Sequence, residues 1–348
     1  MTPGISVIIP LYNSERYLQQ AIDSIITQTY TDWELIAVCE PDSSDNTNEI
    51  IREYSERYDR IKPIFNTDNI GISASLNVGI RASKGEYIAR MDGDDICHTR
   101  RFEKQAEFLE AHPDVSILGS NIQIIDTKGK AGGHISKYAL HHEQIKSDLL
   151  FYCELMHPAV MMRKADIEKH HLCYDDNYRA SEDFELWNRA SRVVKLANLP
   201  EILLYYRWGL STSTRKNTEI GDKNYIAVID RSCRELMLEF SQDELQLLYP
   251  RTCNMKLSNL GYVRQTLEYA AKRIVLANNN CGIYQPEALS KTLDKRLYWK
   301  QHPIRGITAA VTRSICRDGN LANGLAGYLE QRGFIMAMRR CFSFLFSR

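Results

Sequence analysis

The feature that most restricts how this chain can fold is a fourfold alternation in its first 111 residues. Strand-like stretches at Ile5–Ile9, Trp33–Val38, Ile61–Phe65 and Glu86–Met91 are each followed by a stretch with helical spacing. After the first, Asn13 stands where a helix cap would, and Leu18, Ile22, Ile25 and Ile26 recur on one face. Thr47–Tyr58 sets Ile50, Ile51, Tyr54 and Tyr58 together, and Ile72–Ala82 and Arg100–Ala111 follow, the last stopped by His112-Pro113. Short, continuously apolar runs suit strands buried on both faces. Strands that alternate with helices return by crossover and pair in parallel. The order predicts a doubly wound α/β layer with its working loops at the carboxyl ends of the strands.

Beyond this layer the pattern loosens. Val115–Asp126 reads as strand pieces and Lys128–His134 as a Gly-rich loop. Further strands are expected at Ala159–Arg163 and Ile202–Arg207, with a helix over Glu182–Ser191. Residues 219–281 are poor in Gly and Pro and read as helical. The expected division is a catalytic domain at 1–215 and a mostly helical region at 216–348 with a basic, amphipathic end.

Charge narrows the function. The 348 residues carry 44 Lys+Arg and 44 Asp+Glu, so the net charge is zero. That argues against a surface devoted to nucleic acid. The balance is uneven, because residues 291–348 hold 11 basic and three acidic side chains. The nine cysteines are odd in number, irregularly spaced and without a CxxC pair, which fits reduced thiols rather than a disulfide framework or a zinc site. The start lacks the charged and apolar regions of a signal peptide, and no apolar run approaches 18 residues. A cytoplasmic protein is expected.

Four segments carry candidate chemistry. Met91-Asp92-Gly93-Asp94-Asp95 sets three carboxylates within four residues at a strand end. Such crowding costs energy unless a cation or donor groups relieve it, and hard oxygen ligands suit Mg²⁺ or Mn²⁺. The alternative is a solvated acidic turn. Ser181-Glu182-Asp183-Phe184-Glu185-Leu186-Trp187 opens a helix with an acidic pair anchored by apolar residues, either a fixed general base or simple partners of the helix dipole. Pro10-Leu11-Tyr12-Asn13 follows the first strand, and Asn69 to Gly79 forms a small-residue loop entering a helix, where backbone amides can approach a ligand. The GxGxxG and GxxxxGK[ST] patterns are missing, which disfavours a nicotinamide enzyme or a P-loop ATPase.

In this order the segments resemble family 2 glycosyltransferases of the GT-A type. The resemblance runs through Ile8 to Asn13, Ser43-Ser44-Asp45-Asn46-Thr47, Asn69-x-Gly71, Asn77-x-Gly79 and Lys84 to Asp95. It continues in His157-Pro158-Ala159-Val160-Met161-Met162-Arg163, Glu182 to Trp187 and Tyr205-Tyr206-Arg207, covering roughly residues 4–213. It implies a GT-A mixed sheet flanked by helices and a nucleotide-diphosphate-sugar donor, UDP favoured. By position it assigns Pro10, Tyr12, Asn13, Glu40, Asp42, Asn69, Asn77, Arg90, Asp92, Gly93 and Arg207 to the donor nucleotide sugar. Asp92 and Asp94 take the metal with Asp95 in support, and Asp183 is the base, with Glu182 orienting it or the acceptor.

The resemblance further implies inverting transfer of a hexosyl or N-acetylhexosaminyl group to a glycan or lipid-linked acceptor, in the building of bacterial surface polysaccharide such as O-antigen, capsule or exopolysaccharide. The alternative is an inactive GT-A module that only binds a nucleotide sugar. Two departures bear on this. Glu40-Pro41-Asp42-Ser43 stands where the family has Asp-Asp-Gly-Ser, and Arg207-Trp208-Gly209 lacks the family's late histidine. His157 is a further candidate site residue, or else caps the loop before Pro158. At the far end, Ile335, Met338, Phe342, Leu345 and Phe346 fall on one helical face flanked by Arg332, Arg339, Arg340 and Arg348. Such a face either lies on an anionic membrane surface, making the protein peripheral, or packs on protein.

Overall fold

The structure, a computed structural model, describes residues 3–208, 218–250 and 260–297. The elements follow the order β1 (Ile5–Leu11), α1 (Glu15–Ile26), β2 (Trp33–Cys39), α2 (Thr47–Arg57), β3 (Ile61–Phe65), α3 (Gly71–Ala82) and β4 (Tyr87–Arg90). Next come β5 (Ile96–Cys97), α4 (Arg101–Ala111), β6 (Val115–Ile125), β7 (Ala131–Ser136), α5 (His142–Asp148), β8 (Met161–Arg163), α6 (Lys164–Lys169), α7 (Glu182–Ala190) and β9 (Lys195–Arg207). The strands form one mixed sheet in the order β3-β2-β1-β4-β8-β6-β9-β5, with β7 paired to β6. The first four lie parallel, as the alternation predicts. β8 is then inserted antiparallel between β4 and β6, and β6 runs parallel to β9.

The reason for the parallel half is burial. Every residue of β2 and nearly every residue of β1 is buried, so neither face is left to water. Leu18, Ala21, Ile22 and Ile25 of α1 pack onto this layer. Register brings the carboxyl ends together: Leu11 faces Cys39, and Ile8 faces Arg90. The loops that leave these strands therefore share one rim.

Arg101 fixes that rim from beneath. It is fully buried at the start of α4, and its guanidinium donates to the carbonyls of Arg90 (2.8 Å), Pro158 (2.8 Å) and Val160 (3.1 Å). One side chain thus ties the end of β4 to the turn that leads into β8. A buried cation without such acceptors would cost several kcal/mol, roughly 3–5 when one partner is lost.

Three expectations need correction. The Gly-rich stretch is strand from Ala131 onward, where β7 pairs Ala131 with Ile125 and Ser136 with Ile122. Asp126 closes that hairpin by accepting the N–H groups of Lys128 (2.8 Å) and Lys130 (2.9 Å), with Gly129 at φ 78°. Glycines there serve the turn and obscure the alternation beyond it. The last strand starts at Lys195, well before Ile202. The short helices α5 and α6 left no readable period.

The chain divides into two compact units. The first comprises residues to 131 and 135–228, and the second takes in 132–134 and the chain from 229. The sequence boundary at 215/216 falls earlier, because the opening turns of α8 (Thr218–Glu235) pack within the first unit. Ser181 donates to the Gly221 carbonyl (2.9 Å), and Tyr225 stacks on Phe184 with ring centroids 3.8 Å apart. The second unit continues through α9 (Gln242–Leu248), α10 (Leu260–Cys281) and α11 (Pro286–Arg296). Ser241 and Glu244 form a capping box on α9, and buried Arg296 donates to the carbonyls of Leu248 and Tyr249. The amphipathic segment at 333–348 lies outside the described residues, as does Gly209. Among the described residues no helix is long and apolar enough to cross a membrane.

Candidate active site

The acidic turn leaves β4 at Arg90. Asp92, Asp94 and Asp95 each offer a carboxylate oxygen, all within 4.8 Å of one another. Asp92 and Asp94 are partly exposed, while Asp95 is fully buried. Burial, then the charge of Asp92, pushes Asp94 up to about 6. The same two causes, joined by Asp94, raise Asp95 well above the ordinary carboxylate range. Asp95 accepts the Arg207 N–H (2.8 Å) through one oxygen, and its other oxygen is buried with no partner among the described residues. A set of hard oxygens crowded against one another, two of them open, fits a divalent Mg²⁺ or Mn²⁺ ion, which would reverse the repulsion. Gly93 permits the turn to sit this close, because a Cβ there would come within 2.9 Å of Leu11 Cδ2.

Two arginines frame the cluster. Arg90 Nη2 lies 2.7 Å from Asp92 Oδ1, with its side chain only 3% exposed. Arg207 donates to the Asp94 carbonyl (2.7 Å), the Asp126 carbonyl (3.1 Å) and Gln20 Oε1 (2.9 Å), and stacks over Tyr17. Arg207 therefore acts on the turn through the backbone rather than through a carboxylate pair.

The loops after β1 and β2 are stapled together. Asn13 sits at φ 51°, in the left-handed region that Asn tolerates, and its Oδ1 accepts the Ser44 N–H at 2.7 Å. Across the same gap the Glu15 N–H donates to Asp45 Oδ2 (3.0 Å), and the Glu15 carboxylate accepts the Asn46 N–H (3.1 Å). Pro10, next to last in β1, is partly exposed, and Tyr12 stands half exposed at the rim. Asp42 and Asn69 are exposed and joined by a 2.9 Å hydrogen bond.

Two expected donor contacts turn inward instead. Glu40 is buried; its carboxylate takes the Ser75 hydroxyl, the Ile70 N–H (3.1 Å) and the Asn66 amide (3.4 Å). The extra methylene lets this carboxylate reach the loop before α3 and Ser75 within α3. Asn77 uses both ends of its amide on the backbone of Tyr174, donating at 2.8 Å and accepting at 2.9 Å. It fastens α3 to a segment 97 residues later.

The acidic pair opens α7, whose Phe184, Leu186 and Trp187 are buried as anchors. Asp183 is partly exposed, and its Oδ1 accepts the Phe184 N–H at 2.7 Å. Cys153 approaches its other oxygen at 3.8 Å. Glu182 is buried, and burial followed by the charge of Asp183 pushes it up to about 7. His157 is buried rather than lying in an open loop, with Nε2 2.8 Å from the Tyr174 hydroxyl and its ring edge-on to Trp187. Burial and the nearby Arg90 charge drive its pKa well down, so it is neutral. Tyr174 and Cys153 belong to no segment that the sequence marks, and Arg101 is marked only as part of a helix. Only their places in the fold reveal them.

A parallel nucleotide-binding half, an antiparallel continuation and an acidic turn at the strand ends define a GT-A nucleotide-sugar transferase fold. The glycosyl transferase family 2 model matches residues 6–204, and the chain belongs to that family. A Haemophilus influenzae glycosyltransferase is 38% identical over 225 residues, covering 62% of this chain and 69% of that protein. The Escherichia coli O-antigen biosynthesis glycosyltransferase WbnJ is 33% identical over 207 residues, covering 58% and 79%. The S. aureus TarS structure with UDP-GlcNAc matches at TM-score 0.57 and 15% identity, over 87% of this chain and 92% of that one. The mannosyltransferase PcManGT of Pyrobaculum calidifontis, in complex with GDP-Man and Mn²⁺, matches at TM-score 0.53 and 14% identity, over 86% of each chain.

Proposed function

We propose that this chain is an inverting, metal-dependent transferase that moves a hexosyl or N-acetylhexosaminyl group from a nucleotide-diphosphate sugar, UDP favoured, to a glycan or lipid-linked hydroxyl. Bacterial surface polysaccharide is the product class, in keeping with the O-antigen role in the name of WbnJ. The observation that carries the reading is a shared electrostatic space. The Arg90 charge opposes the rise of both Asp94 and Glu182, and Tyr174, raised first by burial, also feels the charges of Asp183, Glu182 and Asp92. The acidic turn and the acidic pair therefore act on one volume.

In this reading residues 1–215 form the catalytic domain. Asp92 and Asp94 hold Mg²⁺ or Mn²⁺, which when bound offsets the charge on the departing nucleoside diphosphate. The β1 and β2 loops, with Tyr12, Asn13, Asp42 and Asn69, hold the nucleoside. Asp183, fixed by the Phe184 N–H and open on one side, takes the proton of the acceptor hydroxyl as it attacks the anomeric carbon from the opposite face. An ordinary carboxylate pKa, about 4, suffices, because the hydroxyl acidifies as its bond to the sugar forms. Glu182 supports the base. A binding-only module is the weaker reading, because both acidic sets are intact.

A thermal-shift screen of nucleotide sugars with Mg²⁺ and Mn²⁺ tests this, and the strongest stabiliser names the donor. Donor hydrolysis in Mn²⁺ separates an enzyme from a binding module. Peripheral attachment at the inner face of the cell membrane through residues 333–348 is tested by liposome partition. Equal partition of the full chain and a 1–330 truncation would exclude it.

A further inference from the structure

The end of β4 and α7 carry buried hydrogen-bonding atoms that the reading above leaves unused. Arg90 is 2% exposed and spends one nitrogen on Asp92, while its Nε and Nη1 are buried with no partner among the described residues. Glu182 Oε2 and the Trp187 Nε1–H are likewise buried and unpartnered. Each such atom costs about 1–3 kcal/mol if left so, and more when charged. Natural sites tolerate the cost where a ligand completes the bonds. The neutral His157–Tyr174 pair and Asp183 complete the surroundings.

What ligand fits is decided by charge and by place. The positive charge of Arg90 is already offset at 2.7 Å by Asp92, with Asp94, Asp95 and Glu182 also acting on it or on its neighbours. A phosphate would meet four carboxylates there. A hydroxyl is neutral and both donates and accepts, so it suits a region that holds both unpartnered donors, on Arg90, and an unpartnered acceptor, on Glu182. Arg90 is bonded to Asp92, a residue that would hold the metal in the proposed function, and this would put Arg90 beside the donor.

We propose that Arg90 is the specificity residue for the transferred sugar, its Nε and Nη1 donating to ring hydroxyls of the donor hexose. This deepens the proposed function and rests on it. It distinguishes Arg90 from the residues that hold nucleoside and diphosphate.

The test measures binding by calorimetry in Mn²⁺. The probes are UDP, GDP, UDP-glucose, UDP-galactose, UDP-N-acetylglucosamine and GDP-mannose, then the singly deoxygenated forms of whichever sugar binds. Wild type should lose about ten- to a hundredfold in affinity for at least one deoxy form, the worth of a hydrogen bond to a charged group. Arg90→Lys and Arg90→Gln should both erase that difference and should lose more affinity for the sugar nucleotide than for the matching free nucleoside diphosphate. Equal wild-type affinity for every deoxy form overturns the assignment. So does a variant that keeps the discrimination, or one that loses the free nucleoside diphosphate as severely as the sugar nucleotide. A wild-type protein that binds no nucleotide at all with Mn²⁺ overturns the proposed function itself, a result distinct from these.

Discussion

Arg207 and Asp94 are 113 residues apart in the chain, yet Arg207 Nε donates to the Asp94 carbonyl at 2.7 Å. The neighbouring bond from the Arg207 N–H to Asp95 Oδ1 joins the last sheet strand to the acidic turn a second time. Three separate acceptors are served by the planar fork of one guanidinium. A lysine, with a single point charge, reaches one or two of them. Arg207→Lys should therefore lower stability by about 1–3 kcal/mol and weaken Mn²⁺-dependent donor binding together. Urea unfolding and calorimetry check it. Unchanged values in both would mean that the turn holds its shape without the fork.

Asp183→Asn should lower turnover by about 10²–10⁴-fold, the usual worth of general base catalysis, while leaving donor affinity close to wild type. In the proposed function donor affinity rests on the β1 and β2 loops and the acidic turn, not on Asp183. Turnover at the wild-type level in the purified variant would remove Asp183 from the mechanism.

Glu182 provides a pH signature. Its pKa stands at about 7 in the fold against 4.5 for the free group. Between those values the folded state binds more protons than the unfolded state, so stability falls as pH rises through the window. Above about 7 the full cost is present, on the order of 3 kcal/mol at most. Glu182→Gln removes the titration. Relative to wild type it should be more stable at pH 8 than at pH 5, as read from urea midpoints at the two pH values. A difference that does not change with pH would show that Glu182 is ionised at little cost.

Glu40 separates architecture from recognition. Its carboxylate serves Ser75, Ile70 and Asn66 within the chain. Glu40→Ala should cost about 1–3 kcal/mol of stability, because these donors lose a buried acceptor. The ranking of UDP against GDP in a thermal-shift assay should not change. A switched ranking would return Glu40 to the base pocket.

The amino-acid sequence alone carried the parallel half of the sheet, since β3 spans Ile61–Phe65 as read and α2 and α4 differ from the reading by a residue at an end. Local periodicity and the burial of both faces leave one solution for such segments. The acidic turn, the acidic pair and Arg207 were also legible, because their residues are neighbours in the chain or match a family pattern. Tertiary structure decided the rest. Asn77 reaches Tyr174, Arg101 reaches Pro158 and Val160, and Arg207 reaches Asp94, each across more than 50 residues. Whether a polar group faces a ligand or its own chain depends on which distant backbone atoms need partners. That need arises only once the strands are in register, which is why Glu40 and Asn77 turned inward while Arg90 kept two donors free.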